Sequence, residues 1–270
     1  MNTEQAKKLS EDALTQLMDA LESGQSEAMK IYLQAMSCFH QYSWGNCLLI
    51  LNQRPKPTHV AGFHTWLKLR RYVRKGEKGI VILAPIVGRK RTDGELTEDA
   101  ETRVFGFRAA HVFDISQTEG EPLPEFDTVK GDPQGYTERL KELVTNHNIA
   151  FEYDSGIAPA KGLSTGGKIK ILPGLPRAEH FATLVHEVAH ELLHRGDRRD
   201  HTTRTVRETE AEAVAFVVSA AIGLDAASAS ADYIQLYRGD KQTLAESLEY
   251  IHRTASHILR EILSETEPKN

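Results

Sequence analysis

The stretch Thr183 to Arg195, TLVHEVAHELLHR, carries three histidines at four-residue spacing and a glutamate beside the first. His186 and His190 are one helical turn apart, so both imidazoles leave one face of a helix and can converge on a single ion. Glu187 sits beside them, placed to take a proton from a water that the ion has acidified. The same helix is apolar at Phe181, Leu184, Val185, Val188, Ala189, Leu192 and Leu193. It therefore belongs in a core, where a His-Glu-His cluster without a cation would be costly. The chemistry such a pattern points to is hydrolysis at Zn2+, with Glu187 expected as the catalytic base.

Two imidazoles fall short of the three protein ligands that a catalytic zinc keeps. His194 continues the row but lies about 12 Å from His186 along the helix axis. One ion with bonds of about 2.1 Å cannot be reached from both ends, so His194 is expected behind the site, facing substrate or in solvent. His201, after RGDRRD, lacks the glycine-spaced pattern of three-histidine sites. The better source is the downstream helix VRETEAEAVAFVVSAAIG, which offers Glu208, Glu210 and Glu212. Glu208 and Glu212 share a face with Ala211 and Ala215, small residues that permit close approach to the first helix. Glu208 is assigned as third ligand. Glu212 then hydrogen-bonds a ligating imidazole from behind, with the reverse assignment as the alternative. Glu210 is expected to point into water. His194, His201 and Tyr233 stand open as groups that could stabilise an oxyanion.

These helices need a scaffold. Residues 3 to 22 repeat apolar side chains at helical spacing (Leu9, Ala13, Leu14, Leu17, Met18, Leu21), and a second helix follows over Ser26 to Cys38. YSWGNCLLILNQRP resumes a helix from Asn46 that stops at Arg54, before Pro55 and Pro57. A short helix over His64 to Leu69 precedes a turn at Lys75 to Gly79 and a strand over Ile80 to Ala84. RVFGFRAAHVFDIS alternates like one or two further strands, with Gly88 to Glu101 as a loop or hairpin tip. From Gln117 to Gln134 the chain is rich in Pro, Gly and acids, as linkers are. A helix over Tyr136 to His147, a strand IAFEYD and a hairpin arm GLSTGGKIKIL come next. The site helix then covers Arg177 to His194, the glutamate helix Arg204 to Leu224, and a helical tail runs to Leu263. The domains are thus read as 1–120, a linker at 121–134, and 135–270.

The formal charge of −5 conceals an asymmetry. Between Lys30 and Lys90 stand eleven Lys and Arg against a single acid, Glu77. A basic half on an acidic chain points to a polyanionic partner. Tyr42, Trp44, Phe63, Trp66 and Tyr72 interleave with these cations. Unpaired bases stack on rings while cations follow phosphates, so the partner is read as single-stranded DNA. The candidate DNA-binding residues are Tyr42, Trp44, Lys68, Arg70, Arg71, Arg74, Lys75 and Lys78, although at least one of Trp44 and Trp66 is expected in the core.

Two cysteines, Cys38 and Cys47, cannot build a four-thiolate zinc site or a disulfide framework. The N-terminal segment lacks the apolar core of a signal peptide, and no apolar run is long enough to span a bilayer. A cytoplasmic location without a membrane partner is expected.

The His-Glu-His helix with its downstream glutamates resembles the gluzincins. It is similar to the IrrE/ImmA-like branch, in which an E-x-E-A-x-x-[FV]-A helix follows, here Glu208, Glu210, Ala211, Val214 and Ala215. That resemblance implies a zinc metalloendopeptidase acting on a protein or peptide, with GGKIKIL as a sheet edge. An extended substrate would pair there, along Lys168, Ile169, Lys170, Ile171 and Leu172. YSWGNCLLILNQRP, AGFHTWLKLRRYVRKGEKGIVILAPI and VFDISQTEG resemble the N-terminal domain of ArdC-type antirestriction proteins and their LtrC-like relatives. This implies binding of single-stranded DNA and a mobile-element protein that shields entering DNA from restriction. The resulting fold class is α+β: an N-terminal mixed α/β DNA-binding domain, then a gluzincin-like metallopeptidase domain. Two other readings are kept: a non-proteolytic DNA-protecting protein with a structural zinc, and a regulatory peptidase that cleaves a repressor.

Overall fold

The computed structural model describes residues 2–89, 102–122, 132–133, 135–224 and 241–264. It is a mixed α+β fold. The expected hairpin tip, most of the linker and Tyr233 lie outside the described residues. The chain divides into two compact units, Met1–Gln16 with Gly45–Pro124, and Leu17–Trp44 with Glu125–Asn270. The sequential order expected from composition is therefore crossed by residues 17–44, which group with the second unit.

In the first unit, β1 (Val60–Gly62), β4 (Thr102–Asp114) and β3 (Ile80–Arg89) form an antiparallel sheet in the order β1-β4-β3. The strand expected to stop at Ala84 runs on to Arg89, including Gly88, because it pairs with β4 along its whole length. At Val81 and Leu83 the outer edge of β3 is met by side chains. Asn46 and Gln53 sit two turns apart on α3 (Trp44–Gln53) and offer their amides as a strand would. Asn46 exchanges hydrogen bonds of 2.9 Å with both backbone groups of Leu83, and Gln53 does the same with Val81 at 2.8 and 3.0 Å. Exposed edges invite unwanted pairing, and the two amides cover this one at Val81 and Leu83. Trp66 of α4 (Phe63–Lys68) is 1 % exposed and donates its Nε1–H to the Phe113 carbonyl at 2.9 Å, so it is a core residue.

A two-stranded ribbon, β2 (Arg71–Val73) with β5 (Thr118–Gly120), adjoins the sheet. Between β4 and β5 the buried Asp114 accepts from the backbone N–H of Thr58 at 2.7 Å and of Ser116 at 2.9 Å. Gln117 returns to the Asp114 N–H at 3.0 Å and donates to the Lys78 carbonyl at 2.8 Å. The helix α1 (Thr3–Glu22) buries the stripe Ala6, Ala13, Leu14, Leu17 and Leu21, as its spacing requires.

In the second unit, α2 (Ser26–Cys38) buries Met29, Tyr32, Leu33 and Met36 completely and packs on α8 (Arg204–Ala221). That burial is why residues 17–44 belong here. The strands β6 (Ala150–Tyr153), β8 (Lys168–Ile171) and β7 (Gly162–Ser164) lie in the order β6-β8-β7, after α5 (Tyr136–Asn146). β8 runs parallel to β6 and antiparallel to β7. Lys168 to Ile171 are therefore the middle strand, paired on both sides, and cannot be the edge that receives a substrate. Ile169 and Ile171 explain the difference: both are fully buried, as in a central strand. The helix α6 (Arg177–Leu193) packs on β7, β8 and α8, with Phe181, Leu184, Val185 and Val188 fully buried. RGDRRD, which reads as a polar turn, leads into a short helix α7 (Asp197–His201). The long α9 (Lys241–Leu263) covers α8 and α5. Among the described residues, no helix is long and apolar enough to cross a membrane.

Candidate metal centre and nucleic-acid interface

α6 and α8 cross with small residues between them, Ala189 and Ala211 fully buried, so side chains from both helices meet. The Nε2 atoms of His186 and His190 lie 3.0 Å apart. Glu208 brings one carboxylate oxygen to 3.5 Å from the first and 3.4 Å from the second. Tetrahedral donors at bonds of about 2.1 Å stand about 3.4 Å from one another. The set of two imidazoles and one carboxylate therefore fits a small divalent ion of the zinc type. Three protein donors leave one position for water or substrate. Glu212 approaches His186 from behind, its oxygen 3.5 Å from Nδ1. Glu208 thus stands against both imidazoles and Glu212 against the far nitrogen of His186 alone.

The electrostatics are those of a cation site. Burial would lower His186, but Glu208 and Glu212 beside it push it up to about 9. The imidazoles of His186 and His190 hold Glu208 well below the usual carboxylate range. Glu187 behaves oppositely: burial pushes it up, against the pull of His186 and His190. It is buried and accepts from the Ser164 backbone N–H. A carboxylate raised toward neutrality suits one that takes and returns protons. A cleft of about 680 Å³ opens onto His186, Glu187, Glu208 and Glu212, with Lys161 and Gly162 on its rim.

Two neighbours escape the sequence reading. Glu191, one turn past Glu187, is 1 % exposed. It accepts from Ser164 Oγ at 2.6 Å and from the N–H groups of Gly166 and Gly167 at 2.9 and 2.8 Å. It also pairs with Arg195, so it ties α6 to the β7–β8 turn. Its place on the buried face of the helix is the one signal the sequence carries. Glu210, expected in water, is fully buried. It is held by His194 at 2.9 Å, by Ser247 at 2.8 Å and by Arg198. The correction follows from α9, which covers that side of α8 and supplies Ser247. His194, for which spacing leaves several places open, lies in the interior behind His190. His201 is exposed and stands apart from the cluster.

The DNA-binding candidates divide. Lys68, Arg70, Arg74, Lys75 and Lys78 are exposed in the first unit, whereas Tyr42 and Trp44 are half-buried and group with the second. Arg71 is occupied locally, donating Nε–H to Thr118 Oγ1 at 2.9 Å and reaching the Glu121 carbonyl. Arg74 bonds the Ser116 carbonyl and pairs with Glu77 at 3.0 Å. The ammonium groups of Lys68, Lys75 and Lys78 make no ion pair among the described residues. The sequence reading also misses aromatic rings on the β3–β4 arm, where Phe105 is 62 % and Phe107 52 % exposed, beside the exposed Arg108. The signal is VFGFR, two rings two residues apart in an expected strand; the register of β4 on β3 shifts at Phe105, between Val104 and Gly106, so alternation alone does not set the two rings on one face.

Residues 7–113 match the family described as the N-terminal domain of anti-restriction factor ArdC. An uncharacterized protein of Bacillus anthracis, pXO2-81, is 25 % identical over 96 % of this chain. The chain spans about half the length of that relative, 51 %. The metal-free crystal structure of the antirestriction ArdC protein from the R388 plasmid matches with a TM-score of 0.58 and 16 % identity, over 94 % of this chain and 98 % of that one. The Mn(II)-bound structure of the same protein matches with a TM-score of 0.55 and 17 % identity, over 96 % and 99 %. At such identities the likeness is one of fold.

Proposed function

We propose that this chain is an antirestriction-type protein of a mobile element that binds single-stranded DNA and hydrolyses a peptide bond with a divalent ion. Zinc fits the donor set by ligand chemistry, and the Mn(II)-bound state of the similar ArdC structure supports a divalent ion at this fold. The observation that carries the reading is the convergence of His186, His190 and Glu208, with buried Glu187 one residue along the same helix. The match of residues 7–113 supports the antirestriction role, and the exposed Lys68, Lys75 and Lys78 support a polyanionic partner. Cys38 and Cys47 form no disulfide, which suits a cytoplasmic setting.

When bound, the ion would supply Lewis acidity, polarising a carbonyl and acidifying a water. The chain supplies the rest. His186, His190 and Glu208 hold the ion, and Glu212 orients His186. Glu187 accepts a proton at its carboxylate and delivers it to the leaving amine, a role its raised pKa suits. An extended substrate would lie along β7, the outer strand, whose Gly162 borders the cleft, rather than along β8. On the first unit, Lys68, Lys75 and Lys78 would follow phosphates while Phe105 and Phe107 stack bases.

The test is Glu187→Gln. It should retain the ion and DNA binding while hydrolysis of candidate substrates, followed by mass spectrometry with and without single-stranded DNA, disappears. A variant that keeps the full protective effect would reduce the function to DNA occupancy. Cleavage confined to a repressor would make the chain a regulatory peptidase.

A further inference from the structure

We propose that Glu210 and His194 form a positioning relay that fixes which ring nitrogen of His190 carries hydrogen, leaving Nε2 free to bind a cation. The inference rests on reading His190 as a metal ligand and concerns residues behind it.

Glu210 has no exposed surface. One of its oxygens receives Ser247 Oγ at 2.8 Å and the Arg198 guanidinium, whose central carbon lies 3.4 Å above the Tyr250 ring. The other oxygen lies 2.9 Å from His194 Nε2. A carboxylate paired with a guanidinium only accepts, so His194 Nε2 must carry the hydrogen. A neutral imidazole has one hydrogen to give, which makes His194 Nδ1 an acceptor. That nitrogen is 3.1 Å from His190 Nδ1. His190 must therefore donate from Nδ1, and its Nε2 presents a lone pair towards His186 and Glu208. The opposite tautomer, the one neutral histidine favours in water, would point a hydrogen into the metal centre.

The arrangement also explains the alternating acids on α8. Glu208 faces the ion, Glu212 backs His186 directly, and Glu210 backs His190 through a second imidazole. Outer partners of this kind fix ring orientation and tautomer at metal sites. Here the reach from α8 to His190 is bridged by His194, the third member of the four-residue row.

The experiment uses the full-length, metal-free protein labelled with 15N. Two-bond proton–nitrogen correlation spectra report the tautomer of each histidine, and the His190 signals are those that vanish in His190→Ala. Two variants separate positioning from packing. His194→Gln carries its amide out to the Glu210 end, where it can still donate, and away from His190 Nδ1, whereas His194→Asn keeps its amide oxygen near Nδ1. We expect Nδ1–H at His190 in the wild type and in His194→Asn, and loss of that preference in His194→Gln. Affinity for Zn2+, measured against a competing chelator, should fall about 10–100-fold in His194→Gln and recover in His194→Asn. Finding His190 as Nε2–H in the wild type, or unchanged in His194→Gln, overturns the relay. If both substitutions unfold the protein, the wild-type tautomer alone decides. A wild type that takes up no Zn2+ yet shows the expected tautomers would sink the metal reading while the relay stands.

Discussion

Gly162 of β7 meets Glu187 of α6 where no side chain could fit. A Cβ on the glycine would lie 2.5 Å from Glu187 Oε1, and 2.8 Å from both its Cγ and the Thr183 methyl. The glycine lets β7 approach the Glu187 carboxylate closely enough for the Ser164 N–H to hold it. Gly162→Ala should push Glu187 aside and leave the histidines in place. Metal uptake is then unchanged, hydrolysis falls by at least about tenfold, and overpacking costs about 1–3 kcal/mol in a melting experiment. Wild-type activity and stability in this variant would mean that the close approach relaxes freely and positions nothing.

The ligand assignment predicts an ordered series in metal content. Purified wild type should carry one divalent ion per chain by elemental analysis, and His186→Ala or His190→Ala none. Glu208→Ala should lose it as well, because two imidazoles alone make a weak site. Glu212→Gln should keep it with about 10–100-fold lower affinity, as loss of an orienting carboxylate does elsewhere. Retention in Glu208→Ala together with loss in Glu212→Ala would exchange the two roles.

On the first unit, position separates cations that can meet phosphate from those already engaged. Lys75→Ala with Lys78→Ala should flatten the salt dependence of single-strand binding, by about 0.7 in slope for each phosphate no longer neutralised. Phe105→Ala or Phe107→Ala should weaken binding by about 1–3 kcal/mol per ring with the slope kept. Arg71→Ala should instead lower the melting temperature, since its guanidinium holds β2 to β5. Binding measured by fluorescence anisotropy over a salt series, with melting curves for Arg71→Ala, checks all three. A slope that depends on none of these lysines would make them ordinary surface.

Local periodicity makes most helices legible. Ser26–Cys38 is readable to the residue from its apolar spacing, and Arg177–Leu193 within one, with Pro176 before it and Gly196 shortly after. The pair of His186 and His190 follows from the same periodicity. What stays hidden depends on partners distant in sequence. Glu210 reads as a solvated acid until α9 arrives with Ser247. Lys168 to Ile171 read as an edge until β6 takes the other side. Asn46 and Gln53 look like polar positions on an apolar helix, and only β3 reveals that they complete a strand's hydrogen bonds.

Asp114 offers a pH test away from the metal centre. Its carboxylate is 1 % exposed and 3.8 Å from the Arg54 guanidinium. Burial alone would raise its pKa, but hydrogen bonds from Ser116 and Thr58 outweigh that and hold it below the usual range. A carboxylate depressed in the folded state stabilises above its unfolded pKa of about 3.9, and that stability drains away as pH falls through the folded value. Asp114→Asn should therefore cost about 1–3 kcal/mol at pH 7, because an amide cannot accept at both positions from the Thr58 and Ser116 donors. In strong acid, where the wild-type carboxyl is protonated too, the difference should shrink towards zero. Melting curves of both proteins from about pH 7 down to about pH 2 measure it. A gap that stays constant across that range would show that the charge of Asp114 contributes nothing and that only its shape matters.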